Sequence, residues 1–331
     1  MNVSEGRLLC FPGLNSSCTR LPKPRSEAAL LYALLACVSL LTVALNLLVI
    51  VSIAHFRQLH NPTNTLLLSL AVSDLVVGLL VMPVEGLRYT ETCWLLGELM
   101  CALAPYVSYS LLSASVGNMV LISIDRYMAI CDPLLYASKI TPSRVKASVC
   151  VCWSCSILYN GCILMGHLGQ PDRFSSCYGE CVVVISHVAG TIDLFLSFLG
   201  PCTVMVVLYM RVFVVAVSQL RVIRLQIVAI KVTPSAKRSE RKAATTLGIV
   251  IAVFLMCFCP YYYPSLAGED TSTSLSYYAL VSWIMLLNSC VNPLIYALFY
   301  PWFRKAIKLI ITLRILSPIK ITNVVLCVCH V

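Results

Sequence analysis

Seven long apolar blocks run along the chain, near residues 29–54, 63–84, 98–124, 147–166, 183–216, 244–266 and 276–299, with polar connections between them. Each can supply the roughly 20 residues needed to cross about 30 Å of hydrocarbon. In lipid every backbone N–H and C=O must be satisfied internally, so each block is expected to be a helix. The pattern predicts an all-α membrane protein: a seven-transmembrane helix bundle over 29–300, preceded by an extracellular segment over 1–28. After the seventh block, "PWFRKAIKLII" mixes apolar and basic positions, which predicts a short amphipathic membrane-surface helix over 301–313 and a cytoplasmic tail over 314–331. In that tail Cys327 and Cys329 are candidates for acylation.

Composition agrees with this picture. Hydrophobic residues make up 59% and charged residues 11% of the chain, and mean hydropathy is +0.88; soluble domains carry about 25% charged residues. The net charge of +10 raises nucleic acid as a partner, but the distribution of charge speaks for a membrane instead. Of the 24 basic residues, 6 lie on the side of the N-terminus and 18 on the other, 8 of these between Arg211 and Lys242. The positive-inside bias then places the N-terminus outside the cell, in a multi-pass protein of the plasma membrane. Sequons at Asn2 and Asn15 fall on that outer side. No charged leader with a cleavage site opens the chain, so the first span is expected to direct insertion. Among 18 cysteines, Cys10, Cys18, Cys93, Cys177 and Cys181 are expected outside, with Cys101 at the outer end of span three. Disulfides are expected among these six. The spacing at 177–181 lacks the accompanying His–Cys cluster of a zinc site.

Polar groups inside the spans are few, and an intramembrane ionisable residue is by default a functional hypothesis. Asp74 in span two, Asn46 in span one, Ser115 in span three, and Asn288, Ser289 and Asn292 in span seven form one such set. Two readings stand side by side: a site for a small cation such as sodium, using Asp74, Ser115, Asn288 and Asn292, or a hydrogen-bonded clamp between helices. At the inner end of span three stands Asp125-Arg126-Tyr127, and at the matching end of span six Glu240. An arginine facing acids on two helices suits a two-state latch. A further acid, Asp193, interrupts the apolar run "VAGTIDLFLSFLGP" of span five.

These motifs resemble the rhodopsin-like (class A) G protein-coupled receptors. They are Asn46, "LAVSDL", Asp125-Arg126-Tyr127, Trp153, Pro201, Phe254 and Pro260 in "FLMCFCPYYY", and Asn292-Pro293-Leu294-Ile295-Tyr296, in that order. More narrowly, "CFPGLNSSC", "CYGEC", "RKAATTLGIVIAVFLMC" and "NSCVNPLIYALFYPWFRKA" resemble the trace amine-associated receptors, vertebrate receptors for amines found mostly in olfactory neurons. The resemblance implies a receptor rather than an enzyme, without cofactor, that binds a small protonated amine. It implies a heterotrimeric G protein of the stimulatory type as partner and a rise in cyclic AMP. It also implies a disulfide between Cys101 and Cys181, and one from Cys177 to Cys10 or Cys18.

One departure from the aminergic pattern concerns the anchor for the amine. The usual span-three acid would fall eighteen residues before Arg126, where this chain has Ser108, and a span-seven tyrosine is replaced by Leu286. The acid appears instead at Asp193, as in a divergent group of fish trace amine-associated receptors. Asp193 lies roughly 15 Å below the outer surface at about 1.5 Å per residue, at a depth similar to that of Ser108. Asp193 is thus expected to hold the ammonium, in a pocket with Ser108, Tyr109, Ser197, Phe258, Tyr261, Tyr262 and Trp283; Tyr106 and Phe195 are further aromatic candidates. Outer-half spans are read as free of Lys and Arg, so that no protein cation neutralises Asp193. The alternative is a structural Asp193 bonded to Ser197, Ser110 or Ser113, in a receptor for another ligand. Glu85, Glu91, Glu180, Glu269 and Asp270 are read mainly as solvated loop charge. Phe258 stands where most of the family carries a tryptophan switch.

The switching set is expected to comprise Asp125, Arg126, Tyr127, Glu240, Phe254, Pro260, Asn292, Pro293 and Tyr296, with span six swinging about Pro260. The basic loop 211–242 lies at the same face and suits anionic lipid. A transporter is the competing class, but no repeat relates the two halves; no ordered triad around His167 or His187 supports an enzyme.

Overall fold

The computed structural model describes residues 9–19, 24–173, 175–227, 235–267, 275–299 and 301–312, with side chains throughout except at 216, 219–227, 235–247, 265, 267, 275, 276, 296–299, 301, 302, 309 and 311. Seven long helices form the bundle. Helix α1 is Arg25–His55, α2 Pro62–Thr90, α3 Gly97–Cys131 and α4 Pro142–Ile163. Helix α5 begins as His187–Asp193, passes through a wider π turn at Leu194–Leu199 and continues as Gly200–Ile227. Helices α6 (Ser235–Ala267) and α7 (Leu275–Phe299) complete the bundle, and α8 (Pro301–Ile311) follows.

Local chemistry sets these boundaries. Asn61 and Thr141 each accept a hydrogen bond from the backbone N–H three residues on (2.8 and 3.4 Å), with proline in the first helical position of α2 and α4. Side-chain caps satisfy orphan donors at a helix start, and proline there loses no hydrogen bond. Ser186 caps α5 in the same way. Two π turns sit just before prolines: Val77–Val81 ahead of Pro83, and Leu194–Leu199 ahead of Pro201. A proline cannot donate to the carbonyl four residues back and its ring crowds that carbonyl, so the preceding turn widens. Accordingly Met82 and Gly200 donate five residues back, to Val77 and Phe195. In α6, Pro264 leaves the Pro260 carbonyl without its helical donor, and the Tyr277 hydroxyl of α7 donates to it instead at 2.8 Å.

The core is continuous through the bundle and includes Leu67, Leu70, Met119, Met205, Phe254, Phe258 and Leu286. At Gly117 a Cβ would meet Cys152 Sγ at 2.4 Å, so α3 and α4 approach more closely than any larger residue permits. Outward positions such as Leu40, Leu158, Val188 and Leu196 are exposed and apolar, which suits lipid. Helix α8 is amphipathic as expected: Phe303 and Ala306 are buried while Arg304 and Lys308 are exposed.

Among the described residues, three disulfides close one end of the bundle: Cys101–Cys181, Cys18–Cys177 and Cys10–Cys93. The open choice for Cys177 is settled on Cys18, and Cys10 pairs with Cys93 in a third bridge that the sequence reading did not propose. The Sγ atoms of Cys18 and Cys177 gather near Glu180, but they are joined to each other and offer no thiolate. Residues 16–18 run beside Tyr178, with Cys18 N–H donating to Tyr178 O (3.0 Å) and Tyr178 N–H to Ser16 O (2.8 Å). Gly179 has φ of 96° and its Cα faces Phe11, whose ring a Cβ would meet at 2.8 Å; only glycine suits both conditions. Asn15 is exposed on this cap. Asn2, Glu269, Asp270, Cys327 and Cys329 lie outside the described residues, as do the side chains of Glu240 and Tyr296.

Candidate ligand-binding site

Residues of α3, α4, α5, α6 and α7 line a partly open cavity with ≈ 20 Å³ of room for water-sized groups: Tyr109, Leu112, Ser113, Val116, Asn160, Asp193, Ser197, Phe258, Tyr261, Tyr262 and Met285. The space is that of one small polar head, since an ordered water needs about 10–15 Å³. Helix α3 contributes Tyr109, Leu112, Ser113 and Val116, whose spacing follows one helical face.

Asp193 sits at the wall formed by α5. Its Oδ1 accepts from the Ser197 hydroxyl (2.7 Å) and from the Tyr159 hydroxyl of α4 (3.0 Å), and its Oδ2 accepts from the Tyr262 hydroxyl of α6 (3.1 Å). Neither Ser110 nor Ser113 reaches it. A carboxylate offers about four acceptor positions, so three hydroxyls leave room for a further donor. Aromatic rings frame the rest. Phe198 stacks on Tyr262 (centroids 4.7 Å apart), Phe254 on Phe258 (4.4 Å), and the Tyr109 and Tyr261 hydroxyls bond to each other at 3.1 Å.

The cavity gathers six of the eight residues expected around the ligand: Asp193, Tyr109, Ser197, Phe258, Tyr261 and Tyr262. Ser108 and Trp283 are not among its lining residues. Ser108 is buried one position round α3 from Tyr109, and on α7 it is Met285 that faces the cavity. Tyr106 turns to the Ile157 carbonyl, and Phe195 is exposed on the lipid side of α5; residues two apart on a helix do not share a face. Depth had suggested Tyr106, Phe195 and Trp283, and the place of the usual aminergic acid had suggested Ser108. Tyr159 and Asn160, both from α4, were missed, because nothing in an evenly apolar span marks which way its polar residues turn.

Helix α2 continues to Thr90 and carries Arg88 within it, so the outer half-spans are not free of cations. Arg88 pairs with Glu85 on the preceding turn at 3.3 Å and lies over the Tyr89 ring. Glu85 is therefore a buried, paired acid and not solvated loop charge. Among the described residues, the partners of Asp193 are hydroxyls. Glu91 accepts from the Tyr32 hydroxyl, and Glu180 from the Ser176 N–H.

Deeper in the bundle, Asp74 accepts from Ser115 Oγ (3.2 Å), Ser289 Oγ (2.8 Å) and Asn292 Nδ2 (2.9 Å). Asn46 Nδ2 donates to the Ser289 carbonyl, and Asn292 Nδ2 also contacts Asn288 Oδ1. Hard oxygens suit a small cation, and Asp74, Ser115 and Ser289 supply them; Asn292 presents its N–H side to Asp74. Among the described residues, the buried Asn46 Oδ1 has no donor. At the opposite end from the cap, Arg126 pairs with Asp125 (Nε to Oδ2, 2.9 Å), and both contact Thr63. The Tyr136 hydroxyl donates to Asp125 Oδ1 at 2.9 Å.

Residues 45–296 match the model of the 7 transmembrane receptor (rhodopsin family). The chain is 39% identical to trace amine-associated receptor 13c of Danio rerio over 318 residues, covering 93% of both chains. It is 40% identical to trace amine-associated receptor 7e of Mus musculus and to receptor 7c of Rattus norvegicus, each over 322 residues, covering 93% of this chain and 89% of the relative.

Proposed function

This chain belongs to the trace amine-associated receptors of the rhodopsin family, and on that premise we propose that it is an amine receptor whose anchor is Asp193. The names of its relatives support an amine as ligand. The observation that carries the anchor is the cavity itself: an acid at membrane depth, facing a space the size of an ammonium head, with hydroxyls but no protein cation as partners among the described residues. An ammonium there gains a charge-assisted hydrogen bond in a poorly hydrated site, and the faces of Phe258, Tyr261 and Tyr262 add cation–π attraction.

The N-terminus and its disulfide cap face the cell exterior of the plasma membrane, with Asn2 and Asn15 open to glycosylation. The amine shifts the population between two helix arrangements by binding one of them better. Span six moves about Pro260, and the contacts of Asp125, Arg126 and Tyr127 with Glu240 rearrange, coupled to Phe254 and to Asn292, Pro293 and Tyr296. A heterotrimeric G protein of the stimulatory type then engages the inner face and cyclic AMP rises, in an olfactory setting. Asp74 with Ser115 and Ser289 would hold a sodium ion, supplying hard oxygens to it, with Asn288 and Asn292 bordering that site.

A second reading has one observation in its favour. Three hydroxyls already satisfy much of Asp193, as they would in a purely structural clamp joining α4, α5 and α6, with the ligand a non-amine. Cyclic AMP production separates the two readings. In cells expressing the chain, a panel of amines should raise it, and Asp193→Asn at matched surface expression should abolish the response. A full response in the variant would return Asp193 to the structural role.

A further inference from the structure

The cavity has a second acceptor besides Asp193. Asn160 of α4 is 2% exposed and lines the cavity. Its Nδ2 donates to Ser113 Oγ (3.0 Å) and to the Ser156 carbonyl (2.8 Å). A carbonyl oxygen only accepts, so the contact with Ser156 fixes which end of the amide is nitrogen. Both Nδ2 hydrogens are thereby used within the protein. Among the described residues no donor reaches Oδ1, which is the atom the side chain has left to offer the cavity. An amide oxygen that borders a cavity without a protein donor is open to an N–H supplied by a ligand.

We propose that Asn160 is a specificity-determining residue that selects primary over N-methylated amines by accepting a second N–H from the ammonium held on Asp193. The inference rests on the reading of Asp193 as the anchor. A primary ammonium carries three N–H donors: one goes to Asp193, one to Asn160 Oδ1, and the third remains for a neighbouring hydroxyl or ring face. Each N-methyl group removes a donor. A protonated tertiary amine has a single N–H, which the carboxylate takes, so Asn160 Oδ1 stays unsatisfied. A site built to hydrogen-bond a group rejects analogues lacking it far more strongly than an apolar pocket discriminates by size. The Tyr159 hydroxyl, from the adjacent position in α4, bonds Asp193, so one helix turn sets both acceptors.

The test is a binding series on the purified full chain in detergent, a readout that needs no G protein. The probes are hexylamine and its N-methyl, N,N-dimethyl and N,N,N-trimethyl derivatives. Affinity should fall with methylation, by at least about tenfold from the primary to the tertiary amine, as expected for the loss of a hydrogen bond to a charged donor. Asn160→Leu should reduce that ratio below about threefold. Equal or rising affinity with methylation in the parent would overturn the proposal in favour of an aromatic cage, and so would a ratio unchanged in Asn160→Leu. The parent series stands even if the variants fail to fold. Binding of all four probes that survives Asp193→Asn, or no binding of any, would instead overturn the anchor and this inference with it.

Discussion

At the scale of single residues, Asp193 is held by hydroxyls alone among its described partners. Three hydroxyls converge on one carboxylate: Ser197 lies one turn on in the same helix, while Tyr159 and Tyr262 tie α5 to α4 and α6. Hydrogen bonds to charged groups contribute about 1.5–3 kcal/mol. Tyr262→Phe should therefore lower the melting temperature of the ligand-free receptor in detergent. Tyr106→Phe, whose hydroxyl reaches only the Ile157 carbonyl in an exposed position, should leave it nearly unchanged. Equal effects of the two would deny the carboxylate its special place. Asp193 itself was legible in the sequence because it is the one acid in its span, and Ser197 because it lies one helical turn on. Tyr159 and Asn160 were not, since their use depends on the rotation of α4 against α3 and α5. That rotation is fixed by packing such as Gly117 against Cys152, not by any periodicity within α4. Phe195 and Trp283 were chosen for depth, which does not determine face, and Ser108 for its place in the aminergic pattern.

At the scale of elements, prolines decide the shape of the spans. The sequence shows where they are, but not whether a given proline kinks, widens or merely interrupts its helix. The structure answers this at Pro83 and Pro201, each preceded by a π turn. The turn before Pro201 follows directly on Asp193 and contains Ser197, so it sets where that hydroxyl meets the carboxylate. Pro201→Ala restores a backbone donor and should draw the turn back toward regular α geometry. Amine affinity should fall by several-fold in a titration at matched expression; an unchanged affinity would show that the turn does not position the site. Pro264 offers a cleaner case, because the carbonyl it orphans at Pro260 is taken by Tyr277. Tyr277→Phe should destabilise the parent by about 1 kcal/mol and cost little in the Pro264→Ala background. Additive effects in this double-mutant cycle, read by thermal unfolding, would rule out the compensation.

At the scale of the whole molecule, the apolar blocks made the seven-helix bundle and its surface helix legible, since lipid leaves the backbone few alternatives. The disulfide network was legible only in part. Cys10 pairing with Cys93 depends on the fold of residues 9–19 over the loop between α2 and α3, which spacing does not encode. Peptide mapping of the unreduced protein should recover Cys10 linked to Cys93 and Cys18 linked to Cys177; the exchanged pairing would contradict the cap. The central claim joins cap, cavity and bundle, namely that this receptor recognises an ammonium through Asp193. Its most direct test is the affinity of the purified chain for hexylamine and for neutral hexanol, in the parent and in Asp193→Asn. The account predicts that exchanging ammonium for hydroxyl weakens binding by at least about tenfold in the parent, as close charge pairs do, and that most of this penalty disappears in the variant. A penalty of the same size in both proteins would place the ammonium elsewhere and contradict the account.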